Sequence, residues 1–370
     1  MYSRINSLSI KSLRGIKNLE LKDFGDVNVI LGDNNSGKTT ILEAIRLFKK
    51  EDVNNIVGIL KNRVPKSIPS INDFQYLFNS EDKKIEVSID SSNGKRSIYM
   101  DYSLDEIVLN KQIFLSNDPI NKISNELFSL LIDKNNLEGK TMPQINGSFR
   151  TTERNETYSY IPLDFSYGNI DSKSTENKMN IVYESPYDHF SLNNSIISNI
   201  KRKESYYKIF IEVLKLFDNS INKVELLTRK NYVINFDEPE IYIQCGEKDP
   251  MPISTYGDGI KKVICISALI AQAVDGILLI DEIETSLHHS YYMDILYFLI
   301  KVAKKYNIQL FITTHSKEIV DVFAQYNQDN KLESGIHFYT LRKRNGKTNS
   351  RFLNDKEVEK YYNLGVEVRD

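Results

Sequence analysis

The sequence contains little cysteine, little net charge and no export signal. Only Cys245 and Cys265 occur among the 370 residues, far apart and without the spacing of metal ligands, which argues against a disulfide framework and fits a reducing compartment. The 48 lysine and arginine residues nearly balance 50 aspartate and glutamate residues, so the global charge does not indicate a polyanionic partner. The N-terminus lacks the apolar core of a signal peptide, and we therefore expect the protein in the cytoplasm.

A long apolar run is also missing. The longest one extends from residue 263 to residue 280, and Gln272, Asp275 and Gly276 interrupt it. A membrane-spanning helix needs about 20 consecutive apolar residues, so this pattern predicts a buried helix followed by a strand. We expect no contact with a membrane.

The order of the elements predicts an α/β protein with an insertion. A strand, a loop and a helix open the chain, and helices alternate with strands between residues 260 and 323, as in a mostly parallel layered sheet. Two alternating segments between residues 85 and 102 flank a turn and predict an antiparallel side sheet. We divide the chain into the first part of the core (1–103), an inserted, mostly helical subdomain (104–205) and the second part of the core (206–370).

The first chemical motif is a glycine-containing loop between an apolar strand, residues 27–31, and an amphipathic helix. Its residues are Gly32, Asp33, Asn34, Asn35, Ser36, Gly37, Lys38 and Thr39, followed by Thr40. The glycines let backbone N–H groups converge on phosphate oxygens, while Lys38 reaches the β and γ phosphates and Thr39 offers a hydroxyl to magnesium. The helix N-terminus adds positive potential. A short motif can occur by chance, but its strand and helix favour a site for ATP with Mg²⁺.

The second motif is an apolar strand, residues 277–280, that ends in Asp281 and Glu282. Both carboxylates would lie at the carboxyl edge of the sheet, where ligands bind. Asp281 is suited to orient the magnesium shell, and Glu282 to polarise the water that attacks the γ phosphate. The alternative is an acid pair that caps a helix, but the phosphate loop favours the catalytic interpretation.

The third motif is another apolar strand, residues 310–314, followed by His315. A single histidine is usually structural. This one is predicted at the same sheet edge as the other two motifs, where it could hydrogen-bond the γ phosphate or the attacking water. We therefore count His315 with Lys38 and Glu282 as candidate catalytic residues.

The three motifs occur in this order, with a long insertion between the first and the second. In this arrangement they resemble the ABC-type ATPase heads of the Rad50, RecF and OLD group. The sequence is most similar to the prokaryotic AAA15/AAA21 family. Residues 281–288 look like the Walker B motif and D-loop of that family, and residues 313–316 like its switch-histidine segment. The opening residues 12–16 and the final residues 365–369 also look familial.

The resemblance implies a P-loop NTPase fold and a head-to-tail homodimer, with ATP between the phosphate loop of one subunit and the signature segment of the other. The signature candidate is Gly257, Asp258 and Gly259, where glycines before a helix N-terminus would offer N–H groups to a phosphate, with Lys261 and Lys262 adding charge. It departs from the Leu-Ser-Gly-Gly-Gln pattern, and a simple loop-to-helix turn is the alternative. Gln75 stands where the family has a Q-loop magnesium ligand, but a surface glutamine is nearly as good an explanation.

Three functions compete. The first is an ATPase that dimerises around ATP and drives an effector in anti-phage defence or genome maintenance. The 55 residues after His315 are too few for the Toprim nuclease of OLD relatives, so we expect any nuclease to be a separate protein. The second is a RecF-like or Rad50-like repair ATPase that binds DNA, and the third is a transporter ATPase, which the altered signature and the long insertion disfavour.

A basic C-terminal hairpin is the one candidate contact to DNA phosphates in the core. Its basic residues are Arg342, Lys343, Arg344, Lys347 and Arg351. Such a run is more often a solvated face than a nucleic-acid site. We therefore assign these residues no function from sequence.

Overall fold

The computed structural model describes residues 4–52, 55–56, 58–60, 71–79, 81–108, 139–160, 179–188, 194–231, 236–285, 287–329, 335–354, 356–358 and 360. The strands are β1 (Ile5–Leu13), β2 (Ile16–Leu21), β3 (Val27–Gly32), β4 (Lys84–Ser91), β5 (Gly94–Asp101), β6 (Ser103–Val108), β7 (Thr141–Thr151), β8 (Asn155–Tyr160), β9 (Ile181–Glu184), β10 (Ile221–Asn231), β11 (Phe236–Cys245), β12 (Met251–Pro252), β13 (Ile277–Ile280), β14 (Gln309–Thr314), β15 (Ile336–Arg344) and β16 (Lys347–Leu353). The helices are α1 (Lys38–Arg46), α2 (Ile71–Gln75), α3 (Asn194–Lys201), α4 (Glu204–Phe217), α5 (Asp258–Ala273), α6 (Tyr292–Lys305) and α7 (Lys317–Asp329).

The central sheet has the order β16-β15-β3-β14-β13-β9. All its neighbours pair in parallel except β15 and β16, which form an antiparallel hairpin at one edge. Every residue of β3, β13 and β14 is buried, which explains their mostly apolar composition, since a parallel sheet is covered on both faces. The predicted layered α/β fold of a P-loop NTPase is confirmed.

Alternate residues of β3 belong to the two cores on either side of this sheet. Val27, Val29 and Leu31 face a core that includes α4, α5 and α6, whereas Ile30 faces the core that includes α1 and the side sheet. Burial of each such side chain contributes about 1.5–3 kcal/mol. Since both faces are packed, β3 is fixed, and its carboxyl end presents the phosphate loop in one position.

The predicted antiparallel side sheet is present, with the order β2-β1-β4-β5-β7-β6 and β8 paired to β7. The expected hairpin joins β4 to β5, with Ser91 opposite Gly94. A third sheet, β10-β11-β12, packs in the core that contains α5. None of the helices within the described ranges is long and apolar enough to cross a bilayer.

The prediction of a mostly helical insertion is wrong for the described residues of 104–205. Three of its strands, β6, β7 and β8, extend the side sheet, and β9 joins the central sheet. The helical part described there is α3 and the first two residues of α4. The error has a physical cause: β9 pairs with β13, which is about 96 residues later in the chain, and such partners leave no local pattern. The rest of the insertion and residues 365–369 lie outside the described residues, and the domain boundaries stay a prediction.

Candidate nucleotide site

The phosphate loop follows β3 and ends where α1 begins, at Lys38. Gly37 has a left-handed backbone with φ 105°, and a Cβ on it would lie 3.0 Å from Ile16 Cδ1, so both conformation and space favour glycine. A Cβ on Gly32 would lie 2.7 Å from the carbonyl oxygen of Leu341 on β15. The loop therefore has the compact path that the sequence motif predicts.

Two buried polar groups of the loop are arranged for a phosphate. The Nζ of Lys38 donates to the carbonyl oxygens of Gly32 at 2.7 Å and Asp33 at 3.0 Å. Burial lowers the pKa of Lys38, while the carboxylates of Glu282, Glu284 and Asp281 act in the opposite direction. The buried hydroxyl of Ser36 has no hydrogen-bond partner among the described residues. Ser36 can therefore bond a phosphate oxygen without losing a partner, and Lys38 can exchange its two carbonyl contacts for negatively charged phosphate oxygens.

Asp281 connects the phosphate loop to the neighbouring strands. Its carboxylate accepts hydrogen bonds from the hydroxyls of Thr313 (2.5 Å) and Tyr183 (3.2 Å). Burial raises the pKa of Asp281, and the nearby hydroxyls of Thr313, Thr39 and Tyr183 lower it. The structure thus brings Thr39 and Asp281 together, as expected of two ligands of one magnesium shell.

Glu282 follows with a strained backbone. Its φ of 48° lies in the left-handed region, which costs a residue other than glycine about 1–3 kcal/mol. The backbone N–H of Glu282 donates to the hydroxyl oxygen of Thr313 at 2.8 Å. Thr313 therefore fixes both acids, because its single hydroxyl donates to Asp281 and accepts from Glu282. Of the two acids, Glu282 lines the cavity that lies over the phosphate loop, and Asp281 does not.

A cavity of about 700 Å³ lies over the loop. Its lining residues are Gly15, Ile16, Asn34, Asn35, Ser36, Gly37, Lys38, Thr39, Thr40, Glu282, Lys343 and Thr348. The predicted loop residues and Glu282 thus share one space, which is large enough for a ligand of nucleotide size. Gly15 and Ile16 come from the β1–β2 turn, and Lys343 and Thr348 from the β15–β16 hairpin.

His315 lies at the same sheet edge but is not among the residues that line the cavity. Its Nδ1 is 2.7 Å from Oε1 of Glu284, and its backbone N–H donates to the same oxygen at 2.7 Å. The imidazole is 48% exposed. Glu284 therefore orients the histidine at the rim, and its role in hydrolysis stays a prediction.

The signature candidate lies away from this cavity. Gly257 precedes α5, and an added Cβ at Gly257 or Gly259 would meet nothing within 4 Å, so this helix N-terminus is open. Lys261 pairs with Asp258 on the surface at 2.9 Å. Lys262 is fully buried and lies 3.1 Å from the equally buried Glu184 on β9. The expectation that Lys262 adds charge to a phosphate site is wrong, because its ammonium points into the core.

Gln75 ends α2 and does not line the cavity either. The residues after it are nevertheless tied to the phosphate-loop helix through Arg14. The Arg14 guanidinium donates to both carboxylate oxygens of Glu43 on α1, at 2.7 and 3.1 Å, and to the carbonyl oxygen of Tyr76 at 3.3 Å. The role of Gln75 as a magnesium ligand stays a prediction.

Sequence reasoning missed the contributions of Tyr183, Lys343 and Thr348. Tyr183 lies on a four-residue strand inside a segment without periodicity, so no signal indicated it. The basic residues around Lys343 were visible, but nothing in the sequence placed their hairpin beside the phosphate loop. Thr313 could have been found from its position two residues before His315, near the carboxyl end of the same strand.

Comparisons with known proteins identify the family of the chain. The sequence model of the AAA_21 family, described as "AAA domain, putative AbiEii toxin, Type IV TA system", matches residues 27–321. An ATP/GTP phosphatase of Helicobacter pylori is 24% identical over 363 residues, covering 91% of this chain and 92% of that protein. The DNA replication and repair protein RecF of Rickettsia massiliae is 52% identical over 44 residues, 12% of each chain. Among solved structures, an Smc head bound to the C-winged helix domain of ScpA has a TM-score of 0.49 at 15% identity, covering 95% of this chain and 97% of that one.

Proposed function

The chain belongs to the AAA_21 family and is an ATPase, and from this premise we propose that two copies close on Mg·ATP and drive a separate effector. One observation carries the proposal for the reaction. The hydroxyl of Thr39 on the phosphate loop lies near enough to the carboxylate of Asp281 to lower its pKa, and Thr39 and Glu282 line the same cavity. The groups for binding a triphosphate and for activating a water therefore meet in one place.

The residues at this junction fit magnesium. The ion prefers hard oxygen ligands and is usually held by one or two protein groups together with phosphates and water. The hydroxyl of Thr39 and the buried carboxylate of Asp281 form such a set. Magnesium, when bound, would offset the charge that develops on the phosphates. Lys38 adds a fixed positive charge beside them.

Glu282 is the proposed general base. Its carboxylate faces the cavity, while the hydroxyl of Thr313 holds its backbone. In this position it orients a water and accepts its proton as the γ phosphate is attacked. General-base assistance is worth about 10²- to 10⁴-fold in rate. Loss of this carboxylate alone should therefore leave nucleotide binding nearly intact.

A second copy of the chain supplies the other half of the proposed site. The helix N-terminus at Gly257–Gly259 is open and does not line its own cavity. An open helix N-terminus that follows glycines suits a phosphate held by another subunit. In a head-to-tail dimer, the rim residue His315 would then lie beside the shared nucleotide and respond to its hydrolysis.

We propose a nuclease or similar toxin as the effector, acting in the cytoplasm in anti-phage defence or genome maintenance. The toxin–antitoxin wording of the family description supports this choice. A DNA-binding repair ATPase is the second candidate, which the local similarity to RecF favours. The second candidate predicts ATP-dependent binding of duplex DNA that weakens steeply with salt, and the first does not require it.

The test of the reaction compares three proteins in an assay for released phosphate and in equilibrium ATP binding. The wild type should hydrolyse ATP in the presence of magnesium, and Lys38→Ala should neither bind nor hydrolyse it. Glu282→Gln should bind ATP with an affinity close to that of the wild type, hydrolyse it at least about 100-fold more slowly and accumulate as a dimer in light scattering. A Lys38→Ala protein with wild-type affinity would refute the assignment of the loop.

A further inference from the structure

The β15–β16 hairpin forms one wall of the nucleotide cavity. Strand β15 pairs in parallel with β3, and the pairing places Leu341 opposite Gly32 at the start of the phosphate loop. From β16, the hydroxyl of Thr348 donates to the carbonyl oxygen of Ser36 at 3.3 Å, and Thr348 is buried. The hairpin is therefore held against the loop by backbone pairing on one side and a buried hydrogen bond on the other.

Lys343 extends from this wall into the cavity. Its side chain lines the cavity, and its Nζ lies 3.9 Å from the position that a Cβ on Gly15 would occupy. Within the described ranges, no carboxylate lies within ion-pair distance of Lys343, although Glu282 lines the same cavity. Lys343 and Lys38 are the two cationic side chains among the described residues that line it. An exposed, unpaired ammonium at the mouth of a phosphate site can bind an anion without first losing a partner.

The position of Lys343 indicates which part of a nucleotide it meets. Thr39 and Glu282 both line the cavity and mark the γ-phosphate end, because Thr39 lies beside Asp281 and Glu282 is the proposed base. The hairpin and the β1–β2 turn instead close around Ser36 and Gly37: the Cβ position of Gly37 is 3.0 Å from Ile16 and 3.8 Å from the hydroxyl of Thr348. A triphosphate with its γ phosphate at the first end would extend its β and α phosphates toward this second side, where Lys343 lies.

We propose that Lys343 is a nucleotide-binding residue that contacts the α and β phosphates of ATP. This inference rests on the proposed function, since it assigns a further residue to the same ATP site. One charge pair at about 4 Å in a solvated setting is worth about a five-fold change in affinity. Because ADP keeps both contacted phosphates, the contribution should be the same for ATP and ADP.

The experiment measures equilibrium binding of ATP and of ADP by isothermal titration calorimetry in EDTA, which prevents hydrolysis. The test variant is Lys343→Gln. The matched control is Lys347→Gln, because Lys347 is exposed on the same hairpin, carries the same charge and does not line the cavity. We expect Lys343→Gln to weaken ATP and ADP alike, about five-fold more than the control does, with a difference that shrinks as salt is added. Lys343→Arg should restore most of the affinity.

Equal affinities of Lys343→Gln and Lys347→Gln for both nucleotides would overturn the inference. A loss of affinity for ATP without a loss of affinity for ADP would also overturn it, because it would place Lys343 at the γ phosphate. Wild type and Lys38→Ala separate this failure from a wider one. If the wild type binds ATP and Lys38→Ala does not, only the role of Lys343 is lost. If the wild type binds no nucleotide, the proposed function fails first. Thermal melting of each variant shows that it is folded.

Discussion

A buried ion pair behind the site should make the stability of this protein depend on pH. Glu184, the last residue of β9, and Lys262, on α5, are both fully buried and lie 3.1 Å apart. The carbonyl oxygen of Glu184 also accepts the backbone N–H of Asp281 at 3.1 Å. The pair therefore joins the helix that begins at the signature candidate to the strand beside the proposed magnesium ligand.

Burial raises the pKa of Glu184 from its ordinary value of 4.5 to about 7, against the opposing effect of Lys262. Between these two pH values the folded protein keeps a proton on Glu184 that the unfolded chain has lost. The contribution to stability is therefore complete below pH 4.5 and is lost as the pH rises through 7. At about 1.4 kcal/mol for each pKa unit, the loss is roughly 3 kcal/mol, most of it between pH 5 and pH 8.

The variant Glu184→Gln should remove this dependence, because an amide of the same shape does not titrate. We expect the free energy of unfolding of the wild type to fall by roughly 2–3 kcal/mol relative to that of Glu184→Gln between pH 5 and pH 8. Comparison of the two proteins cancels the titration of every group that does not interact with Glu184. The variant Lys262→Met should strengthen the dependence: without the ammonium, the pKa of Glu184 rises further, and the loss of stability continues above pH 8.

Urea denaturation followed by circular dichroism, repeated at half-unit steps of pH, measures these profiles, and thermal melting should show shifts of several degrees. Glu86→Gln is the control, because Glu86 forms an exposed ion pair with Lys11 and such pairs contribute little. Parallel profiles for the wild type and Glu184→Gln would refute the reasoning. So would a wild type that gains stability relative to Glu184→Gln as the pH rises.

Two further predictions concern the catalytic site. Thr313→Val removes the hydroxyl shared by Asp281 and Glu282, so steady-state kinetics should show kcat reduced about ten-fold or more with ATP affinity nearly unchanged. Thr313→Ser should restore the rate. An unchanged kcat in Thr313→Val would contradict this role of Thr313. Mixing Lys38→Ala with a variant changed at both Gly257 and Asp258 should recover up to about a quarter of the wild-type ATPase rate, since half of the random dimers would contain one intact composite site. No recovery at any mixing ratio would argue for sites within single subunits.

Short segments of the chain determined the chemistry of the site. The phosphate loop, the acid pair and the strands before them could be predicted because each is continuous in sequence. A strand that is buried on both faces is mostly apolar, so both strands could be recognised by composition. The residues after the carboxyl end of such a strand lie at the ligand-binding edge of the sheet. The same rule placed His315 at that edge.

The tertiary structure decided which distant groups support those residues. Tyr183 reaches Asp281 because β9 pairs with β13, and Lys343 reaches the cavity because β15 pairs with β3, more than 300 residues earlier in the chain. Both pairings depend on packing between segments that are far apart in the chain, and the sequence of one segment does not indicate which segment it pairs with. The same is true of the strands found where a helical insertion was predicted. Local chemistry therefore determined what this protein binds, and long-range strand pairing determined how the binding site is completed.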